Sequence, residues 1–531
     1  MGKSLYIAEK PSVAQQFADA LKISARRSDG YIESDTAVVT WCVGHLVTMS
    51  YPEAYDPALR RWSLQTLPFL PKEFKYQVID GVSKQFAIVS RLLNRLDVDT
   101  IYICTDSGRE GEYIYRLVDQ MAGVKGKTRK RVWIDSQTEE EILRGIREAK
   151  DWSAYDNLSA SAYLRAKEDY LMGINFSRLL TLKYGNTVAN YLKKDRTVVS
   201  VGRVMTCVLG MVVRREREIR NFVKTPFYRV IGTFEHQGMT FDGEWKSVPG
   251  SRYFETPFLY KENGFKEKKT AEQLIAELSA EPPVTAVTAS VERKKETKNP
   301  PLLYNLAELQ NDCSKMFKIS PDETLRVVQE LYEKKLVTYP RTDARVLSTA
   351  VSKEIYKNIS GLKGFGPLGS FAEEVLEMGS YKGIAKTRYV NDKQITDHYA
   401  IIPTGQGLSA LSSVSQAARN VYDCVVKRFL SIFYPPAVYQ KVAVTVKIRE
   451  ESFFSNFKVL AEEGYLKVAG IPQNAGEQSM DPQFFQVVQN LKKGAVLPVC
   501  ALDVKEGETS PPKRYNSGSM ILAMENAGQL I

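Results

Sequence analysis

The sequence predicts a multidomain protein with an N-terminal α/β domain, a helical region, and a β-rich region that flanks a helical insertion. Three observations support this fold class. The chain has 531 residues, which at about 150 residues per domain corresponds to three or four domains. Strand-like and helix-like segments alternate over residues 4–150. Two strand-rich stretches, 226–262 and 437–470, lie far apart in the sequence but resemble each other in composition.

The N-terminal region repeats a strand–turn–helix pattern. Leu5–Ala8 is an apolar strand, and Pro11 suits the first turn of the helix that follows it. The second unit combines the buried-strand pattern Val98–Cys104 with a helix over 112–121, and an acidic, glycine-containing turn joins them. Alternation of this kind predicts a parallel sheet with helices on its faces.

A third unit follows the same pattern. Residues 132–134 are the predicted strand, and a helix runs from there to about residue 150. Thr138 and Glu141 have the spacing of a capping box at the start of this helix. The α/β domain is therefore expected to cover about the first 150 residues.

Beyond residue 150 the pattern becomes helical and then β-rich. Residues 153–220 are helical and basic, and the stretches 226–262 and 437–470 are strand-like, so we expect the two stretches to share one sheet. Residues 302–335 predict one amphipathic helix between them. Loops are predicted at 361–370 and 472–482.

Composition narrows the class of protein. With 44% hydrophobic and 25% charged residues, the chain is not of a disordered, collagenous or disulfide-scaffold type. Its net charge of +11 favours an anionic partner, nucleic acid first and an anionic membrane second. No apolar run is long enough to span a bilayer, and the start lacks a secretory leader. Six scattered cysteines without a CxxC pair predict neither a zinc site nor a disulfide framework, so we expect an intracellular protein.

Acidic residues at two strand ends form the first candidate site. Glu9 ends the first strand, and Asp106 follows the second, with Glu110 and Glu112 close behind. Loops after the ends of parallel strands converge on one crevice, and a set of oxygen ligands suits Mg²⁺. The alternative is that these carboxylates only cap helices.

The segment Val337–Asp343, VTYPRTD, is the second candidate. Pro340 favours an extended conformation at Tyr339 and directs its side chain away from the preceding helix. Arg341 lies two residues on, where its guanidinium could bind a phosphate while the phenol attacks phosphorus. A free tyrosine, with a pKa of about 10, requires such a cation. The alternative is that Tyr339, one of 28 tyrosines, is a packing residue.

Three further segments are weaker candidates for a functional site. His398 in DHYAIIPT is either a structural histidine or a site residue. Gly202 and Arg203 in SVGRV provide close backbone approach and a cation for a phosphate. The basic run 125–131 predicts a solvated loop or a contact with a nucleic-acid backbone. No phosphate-binding nucleotide motif is found, so we expect chemistry without ATP.

Eight segments, taken in order, resemble the type IA DNA topoisomerases, most closely the bacterial topoisomerase III branch. No single segment is decisive, but their order along the whole chain is that of the family. The segments are LYIAEKPSVA, TDSGREGE, RAKEDYLMGINFSR, SVGRV, PPLLYNLAELQ, VTYPRTD, DHYAIIPT and PPKRYNSGSMILAMENAG.

The resemblance implies a mechanism. Tyr339 would attack a single-strand phosphodiester, form a 5′-phosphotyrosine and free a 3′-hydroxyl, so that resealing needs no nucleotide. Arg341 would stabilise charge on the phosphate, and Lys10 and Glu9 would act as acid–base partners for the 3′-oxygen. His398 would support the phosphate or the acidic network, and Mg²⁺ would bind at Glu9 and Asp106, with Glu110 as a further ligand.

The resemblance also implies DNA contacts and a torus of four domains. The expected single-strand contacts are Arg61, Arg165, Arg178, Ser200, Val201, Gly202, Arg203, Val204, Met205 and Arg341. The expected domains are a Toprim α/β domain over 1–152, a helical groove domain over 153–222 and 505–531, a β-rich arch over 223–290 and 406–504, and a helical domain over 291–405 that carries Tyr339. The groove domain would be incomplete at its C-terminal end, because family members continue with further helices.

Two rival functions and several expected properties remain. The chain could instead be a Toprim metal-dependent nuclease or primase, or a catalytically impaired DNA-binding protein.

Gly108 stands where the family's acidic motif has a second Asp, which weakens a two-metal site. The expected partners are single-stranded DNA and a helicase, with no membrane and no nucleotide cofactor. A monomer in the bacterial cytoplasm, associated with the nucleoid, is expected.

Overall fold

The computed structural model describes residues 2–23, 26–471 and 481–526. The chain divides into two compact units. The first comprises Met1–Val212, Leu303–Phe429 and Tyr515–Ile531, and the second comprises Val213–Leu302 and Leu430–Arg514. The predicted loop 472–482 lies mostly outside the described residues, as do residues 527–531 of the predicted groove domain.

The N-terminal part of the first unit is a helix-covered sheet. Its strands are β1 (Lys3–Ala8), β2 (Arg26–Ser28), β3 (Tyr31–Glu33), β4 (Ala37–Trp41), β5 (Val47–Met49), β6 (Tyr76–Val78), β7 (Val98–Cys104), β8 (Thr128–Arg131) and β9 (Lys150–Asp151). Its helices are α1 (Pro11–Ala20), α2 (Ser83–Leu93), α3 (Arg109–Ala122) and α4 (Glu139–Arg147). Seven strands form one sheet in the order β2-β3-β4-β1-β7-β8-β9, and β5 pairs with β6 separately.

The central strands of this sheet are parallel and buried on both faces. Strand β1 pairs in parallel with β4 and β7, and β7 pairs in parallel with β8. Leu5 and Ile7 of β1 belong to one apolar core, which includes α2 and α3. Tyr6 and Ala8 belong to the core on the opposite face, with α1 and α4. The prediction of a parallel sheet covered on both faces is therefore confirmed.

The third strand–helix unit differs in detail from its prediction. Strand β8 ends at Arg131, before the predicted strand 132–134, and α4 ends at Arg147. The capping box was predicted wrongly, because Thr138 makes no side-chain cap. Glu141 instead accepts a hydrogen bond from the Asp135 N–H at 2.9 Å. The basic run 125–131 is an exposed loop only at its start, at residues 125 and 126, because residues 128–131 form β8, in which Arg131 is fully buried.

Two helices follow the α/β region. Helix α5 (Asp156–Tyr191) has 36 residues, and α6 spans Arg203–Arg220. The helical prediction for 153–220 is confirmed, with the segment 192–202 between the two helices. In the described part of the chain, no helix is both long and apolar enough to cross a membrane.

The middle of the chain carries a β-rich segment and then a group of helices. The first comprises β10 (Pro226–His236), β11 (Met239–Lys246), β12 (Leu259–Lys261), β13 (Gly264–Phe265), α7 (Lys268–Leu278) and β14 (Thr285–Lys298). The helices are α8 (Leu306–Phe317), α9 (Pro321–Glu333), α10 (Thr349–Gly361), α11 (Gly369–Met378) and α12 (Gln416–Ser431). The loop predicted at 361–370 contains the start of α11.

The single helix predicted over 302–335 is two helices. Lys318 has a left-handed backbone, with φ of 60°, and ends α8. Ser320 then caps α9 by accepting the Glu323 N–H, with Pro321 in the first turn. A cap followed by proline begins a new helix, so the break has a local cause.

The second unit is built on one eight-stranded sheet. The remaining elements are β15 (Ala437–Ile448), β16 (Glu451–Glu462), α13 (Leu466–Ala469), α14 (Pro482–Gln489), β17 (Val496–Glu508) and α15 (Ser517–Glu525). The strand order is β11-β16-β15-β14-β17-β10-β13-β12, which confirms that the stretches 226–262 and 437–470 share a sheet. The end of the second stretch, at α13, is helical instead.

All four predicted boundaries of the β-rich arch differ from those of the second unit, which comprises Val213–Leu302 and Leu430–Arg514. Strand β14 continues to Lys298, and residues 406–429 group with the first unit. The reason is that α12 packs on helices of that unit, where Arg428 pairs with Asp312 of α8 at 2.8 Å. The assignment of four domains stays a prediction.

Candidate active site

The ends of β1 and β7 bring two carboxylates together. The strands are parallel neighbours, with Ala8 opposite Cys104, so Glu9 and Asp106 leave the sheet at the same edge. The Asp106 N–H donates to Glu9 Oε2 at 3.4 Å. Burial and then repulsion from Asp106 raise the pKa of Glu9 to about 7, and burial raises the pKa of Asp106. Paired carboxylates that are costly to ionise together are a donor set that fits a hard divalent cation.

Glu110 is directed away from this pair. It lies in the first turn of α3, is largely exposed, and its Oε1 is 2.5 Å from His45 Nε2. That hydrogen bond lowers the pKa of Glu110. Among residues 2–23, 26–471 and 481–526, no three acidic, histidine or cysteine side chains form a metal-binding cluster. The three-ligand set is therefore not assembled, because His45 binds its third member.

Lys10 follows Glu9 but is engaged elsewhere. Its ammonium forms an ion pair with Glu333 Oε1, the last residue of α9, at 2.6 Å. The Gln16 side-chain amide also donates to the Glu333 carbonyl oxygen at 2.6 Å. The start of α1 and the end of α9 are thus joined by two polar contacts. Lys10 still faces the carboxylate pair, since its charge lowers the pKa of both Glu9 and Asp106.

The backbone of the Tyr339 segment is fixed on both sides. Val337 forms an isolated antiparallel bridge with Pro403, and the Thr338 hydroxyl donates to the Ala400 carbonyl at 3.1 Å. The Tyr339 N–H donates to the Asp135 carbonyl at 2.8 Å. The segment is not helical, and apart from the bridge at Val337 it forms no regular secondary structure.

The phenol of Tyr339 points to the start of α3. The side chain is 5% exposed, and a Cβ added at Gly108, the N-cap of α3, would lie 3.8 Å from the phenol oxygen. Burial and the charge of Asp106 raise the pKa of Tyr339, whereas Arg341 lowers it. A buried phenol that is costly to ionise needs cations close to it before it can act as a nucleophile.

His398 packs directly on the Tyr339 ring. The two ring centroids are 4.4 Å apart, and Trp133 stacks on the histidine with a centroid distance of 5.7 Å. His398 Nδ1 is 2.5 Å from Asp135 Oδ1, and Nε2 contacts the Ser107 carbonyl oxygen. The histidine is 3% exposed, so its hydrogen bonds are made within the protein.

One cavity of about 650 Å³ collects these groups. Its lining includes all the residues predicted as catalytic and all those predicted as metal ligands, together with Arg165. Arg341 is exposed in it, where its charge lowers the pKa of Tyr339 and of Asp106. The cavity therefore combines a buried phenol, a carboxylate pair and cations, which is an arrangement suited to reaction at a phosphate group.

The predicted DNA contacts fall into different environments. Arg61 and Arg165 are exposed, as are Ser200, Val204 and Met205. Arg203 is bound by Asp169, with Nε 3.0 Å from Oδ1. Arg178 is buried, donates to the Leu59 carbonyl at 2.9 Å and lies over Trp62, so its guanidinium is directed into the protein. Val201 and Gly202 are half-buried and precede α6, with the Val201 N–H donating to the Ser177 hydroxyl at 2.8 Å, and the remaining predicted contacts, Val204 and Met205, lie in the first turn of α6.

Several residues near the site were missed by sequence reasoning. Trp133 and Asp135 follow the third parallel strand, β8, just as Glu9 and Asp106 follow β1 and β7. The rule that strand ends share one crevice points to Asp135, which directly follows the predicted strand 132–134, whereas Trp133 was placed inside that strand. Glu333 and His45 carried no comparable signal in the sequence.

Comparison with known proteins identifies a family for the α/β region and a family for the rest of the chain. A Toprim domain family model matches residues 4–136, and a DNA topoisomerase family model matches residues 153–528. The chain is 36% identical over 529 residues to DNA topoisomerase 3 of Bacillus subtilis, covering 99% of this chain and 67% of that protein. It is 36% identical over 527 residues to DNA topoisomerase 3 of Bacillus licheniformis, with the same coverage.

A solved structure shares the fold. Full-length topoisomerase I from Thermotoga maritima superposes with a TM-score of 0.64 at 19% identity, covering 99% of this chain and 75% of the other. The chain spans about two thirds of the length of the Bacillus relatives.

Proposed function

The chain belongs to the type IA DNA topoisomerases, in the topoisomerase III-like branch, and on that premise we propose that it breaks and rejoins single-stranded DNA through Tyr339. The observation that carries this assignment is the shared cavity. The Tyr339 phenol, the Glu9–Asp106 pair and Arg341 all line it, although more than 200 residues separate Asp106 from Tyr339 in the sequence.

The chemistry is an exchange of one phosphodiester for another. The Tyr339 oxygen forms a bond to phosphorus and its proton passes to solvent in the cavity, while the bond from phosphorus to the 3′-oxygen breaks and that oxygen gains a proton. Lys10 and Glu9 supply this proton and later remove it. Arg341 binds the non-bridging oxygens. Bond energy is kept in the phosphotyrosine, so rejoining needs no ATP.

The carboxylate pair is the proposed metal site. Glu9 and Asp106 would hold Mg²⁺, with Glu110 added if it leaves His45, and the ion would supply positive charge at the phosphate. The environments of Glu9 and Asp106 support this assignment, because burial and mutual repulsion make their joint ionisation costly without a cation.

Covalent trapping tests the proposal. A single-stranded oligonucleotide labelled at its 3′ end is incubated with the chain and Mg²⁺, and then denatured with detergent. A 5′-phosphotyrosine retains the downstream DNA, so the label should migrate with the protein, whereas a 5′ label should appear on a free fragment. Tyr339→Phe should abolish both products. Tyr356→Phe, an exposed tyrosine of α10, is the matched control and should leave both unchanged.

The rival functions predict different results. A Toprim nuclease would still cut DNA after Tyr339→Phe and would never attach the 3′ label to the protein. A catalytically impaired DNA-binding protein would bind the oligonucleotide and give no product with the unaltered chain. Either pattern contradicts the proposal.

We also propose a partner, an oligomeric state and a cellular location for the chain. Cleavage at Tyr339 would require an exposed single strand, so a helicase that separates duplex strands is the proposed partner. We place it as a monomer in the cytoplasm, on the nucleoid, with decatenation among its reactions. Analytical ultracentrifugation of the chain tests the monomer, and a sedimentation coefficient that rises with protein concentration would refute it.

A further inference from the structure

The second unit contains a cavity of about 870 Å³ that the proposed cleavage reaction does not use. Four parts of the unit line it: the segment after α7, the first residues of β14, the end of β15 and the loop before β17. All of these residues belong to the second unit, whereas Tyr339 and the carboxylate pair belong to the first. The cavity therefore shares no residue with the candidate active site.

Thr288 places a buried hydroxyl in the wall of this cavity. The residue is 1% exposed, and among the described residues its Oγ1 has no hydrogen-bond partner. Valine has nearly the same shape and lacks the polar atom, whereas a buried hydroxyl without a partner lowers stability. A hydrogen bond to a bound molecule would remove this cost, so Thr288 points to a ligand.

The backbone around Thr288 is fixed. Its N–H donates to the Ala495 carbonyl at 2.9 Å, and its carbonyl accepts the Gly494 N–H at 2.8 Å. The pairing of β14 with β15 shifts register between Thr288 and Ser290, which is a β-bulge. Bulges change the direction of side chains and are frequent beside functional sites. The hydroxyl is thus held in place by backbone contacts that do not use it.

Cations surround the cavity. Lys447, Arg449 and Lys493 line it, together with the carboxylate of Glu281. Arg449 is 3.6 Å from Glu281, and Lys447 is 3.9 Å from Glu450. Both distances exceed those of hydrogen bonds, and exposed ion pairs of this kind are weak. The guanidinium and ammonium groups are therefore available to a phosphate, which accepts hydrogen bonds from both.

The wall beside these cations is apolar. Leu278 and Ile448 are buried, Val284 is half-buried and Val287 is 46% exposed. A site with an apolar wall and a few polar groups at one side binds a ligand of matching chemistry, and such sites measure about 300–1,000 Å³. A nucleotide matches, because it joins an anionic phosphate to a base with apolar faces.

We propose that this cavity binds a nucleotide, with its phosphate on the cations, its base on the apolar wall and a hydrogen bond to the Thr288 hydroxyl. The nucleotide is either free or part of a single strand of DNA, since both present the same phosphate and base. It is bound and not hydrolysed. The site goes beyond the proposed function, because it requires neither cleavage nor any residue of the candidate active site.

Equilibrium dialysis of the Tyr339→Phe chain tests binding in the absence of cleavage. With EDTA present to remove metal ions, the chain should bind thymidine 5′-monophosphate and should bind inorganic phosphate more weakly. Tighter binding of the thymidine dinucleotide than of the mononucleotide identifies a DNA strand as the ligand, and equal or weaker binding identifies a free nucleotide. Equal affinities for inorganic phosphate and both nucleotides would show that the base is not bound and would overturn the proposal.

Variants assign the binding to this cavity. Thr288→Val should weaken nucleotide binding about fivefold, the effect of one lost hydrogen bond, without lowering the unfolding temperature. Arg449→Gln combined with Lys493→Gln should weaken it at least about tenfold, because charged hydrogen bonds are stronger. Lys269→Gln combined with Lys505→Gln removes the same charge from exposed positions outside the cavity. This matched control should bind as tightly as the parent chain.

The outcomes decide the inference separately from the proposed function. Absence of nucleotide binding, or equal affinities in the Arg449–Lys493 variant and its matched control, overturns it. If Thr288→Val lowers the unfolding temperature and leaves binding unchanged, the hydroxyl is structural and the proposed site is wrong. If it lowers both, the Arg449–Lys493 variant decides the matter. None of these results depends on a covalent adduct at Tyr339, so either proposal can fail while the other stands.

Discussion

At the level of single residues, Gly108 lines the cavity beside the Tyr339 phenol. It caps α3 with extended backbone, φ −176°, which any residue can adopt. A Cβ there would meet the Tyr339 phenol at 3.8 Å, an ordinary contact. Glycine is therefore not required by conformation or by space. Its effect is chemical, since it leaves the Glu9–Asp106 pair without another carboxylate beside the phenol.

Gly108→Asp is expected to strengthen cation binding at this pair. A third carboxylate adds an oxygen ligand of the kind that Mg²⁺ prefers, so half-maximal cleavage should occur at a lower Mg²⁺ concentration. Gly108→Ala is the matched control, and its Mg²⁺ dependence should equal that of the unaltered chain. The measurement is adduct formation across a Mg²⁺ series. Identical curves for the Asp and Ala variants would show that position 108 does not contact the ion.

Strand ends and loops differed in how far the sequence could predict them. Glu9 and Asp106 were predicted as neighbours because each follows an apolar strand of a parallel sheet, a local pattern with a known geometric result. The approach of Tyr339 to them was implied only by family resemblance. Its position depends on contacts with Asp135, Ala400 and Pro403, which no spacing along the chain encodes.

At the level of secondary structure, β8 and α3 are joined by a buried ion pair. Arg131 and Glu112 are both fully buried, with Nε 2.9 Å from Oε2. Arg131 also donates to the carbonyl oxygens of Thr105 at 2.8 Å and Asp106 at 2.6 Å, which follow β7. These two hydrogen bonds fix the loop that carries the metal-site carboxylate.

Glu112→Gln should destabilise the first unit by about 3–5 kcal/mol, because it leaves the Arg131 charge buried without a counter-charge. Urea unfolding followed by tryptophan fluorescence measures this, since four of the five tryptophans (Trp41, Trp62, Trp133 and Trp152) lie in that unit. Glu140→Gln breaks an exposed ion pair with Lys357 and should cost less than about 1 kcal/mol. Equal losses in the two variants would contradict the role of burial.

Element boundaries were predictable where a local signal dominates. The α8–α9 break has such a signal in Ser320–Pro321, which the amphipathic pattern across 302–335 obscured. The capping box at Thr138 failed for the opposite reason. Glu141 accepts hydrogen bonds from the Asp135 N–H and from Arg144 instead, and these contacts replace the cap at Thr138.

At the level of the whole molecule, the net charge of +11 favours phosphate contacts over base contacts. Such contacts release counterions, so affinity for single strands should fall steeply with salt. The exposed Arg165 and the buried Arg178 differ in whether their guanidinium groups are available to a DNA phosphate. Arg165 faces the cavity, whereas the Arg178 guanidinium is already bound to the Leu59 carbonyl.

Arg165→Ala is expected to reduce the slope of log affinity against log salt by about 0.7, the contribution of one single-strand phosphate contact. Arg178→Ala, the matched comparison on the same helix, should leave the slope unchanged and lower the unfolding temperature. Fluorescence anisotropy of a labelled oligonucleotide from low to moderate salt gives the slopes. Equal reductions for both variants would place Arg178 on the DNA, against its buried position.

The ion pair between Lys10 and Glu333 links substrate entry to separation of the α/β region from the tyrosine segment. A phosphate arriving in the cavity competes with Glu333 for the same ammonium, which is 2.6 Å from that carboxylate. If the phosphate captures Lys10, the end of α9, six residues before Tyr339, loses one of its two tethers to α1. Loss of this ion pair would then weaken the attachment of α9 to α1, so that DNA binding itself would favour separation of the tyrosine segment from the α/β region.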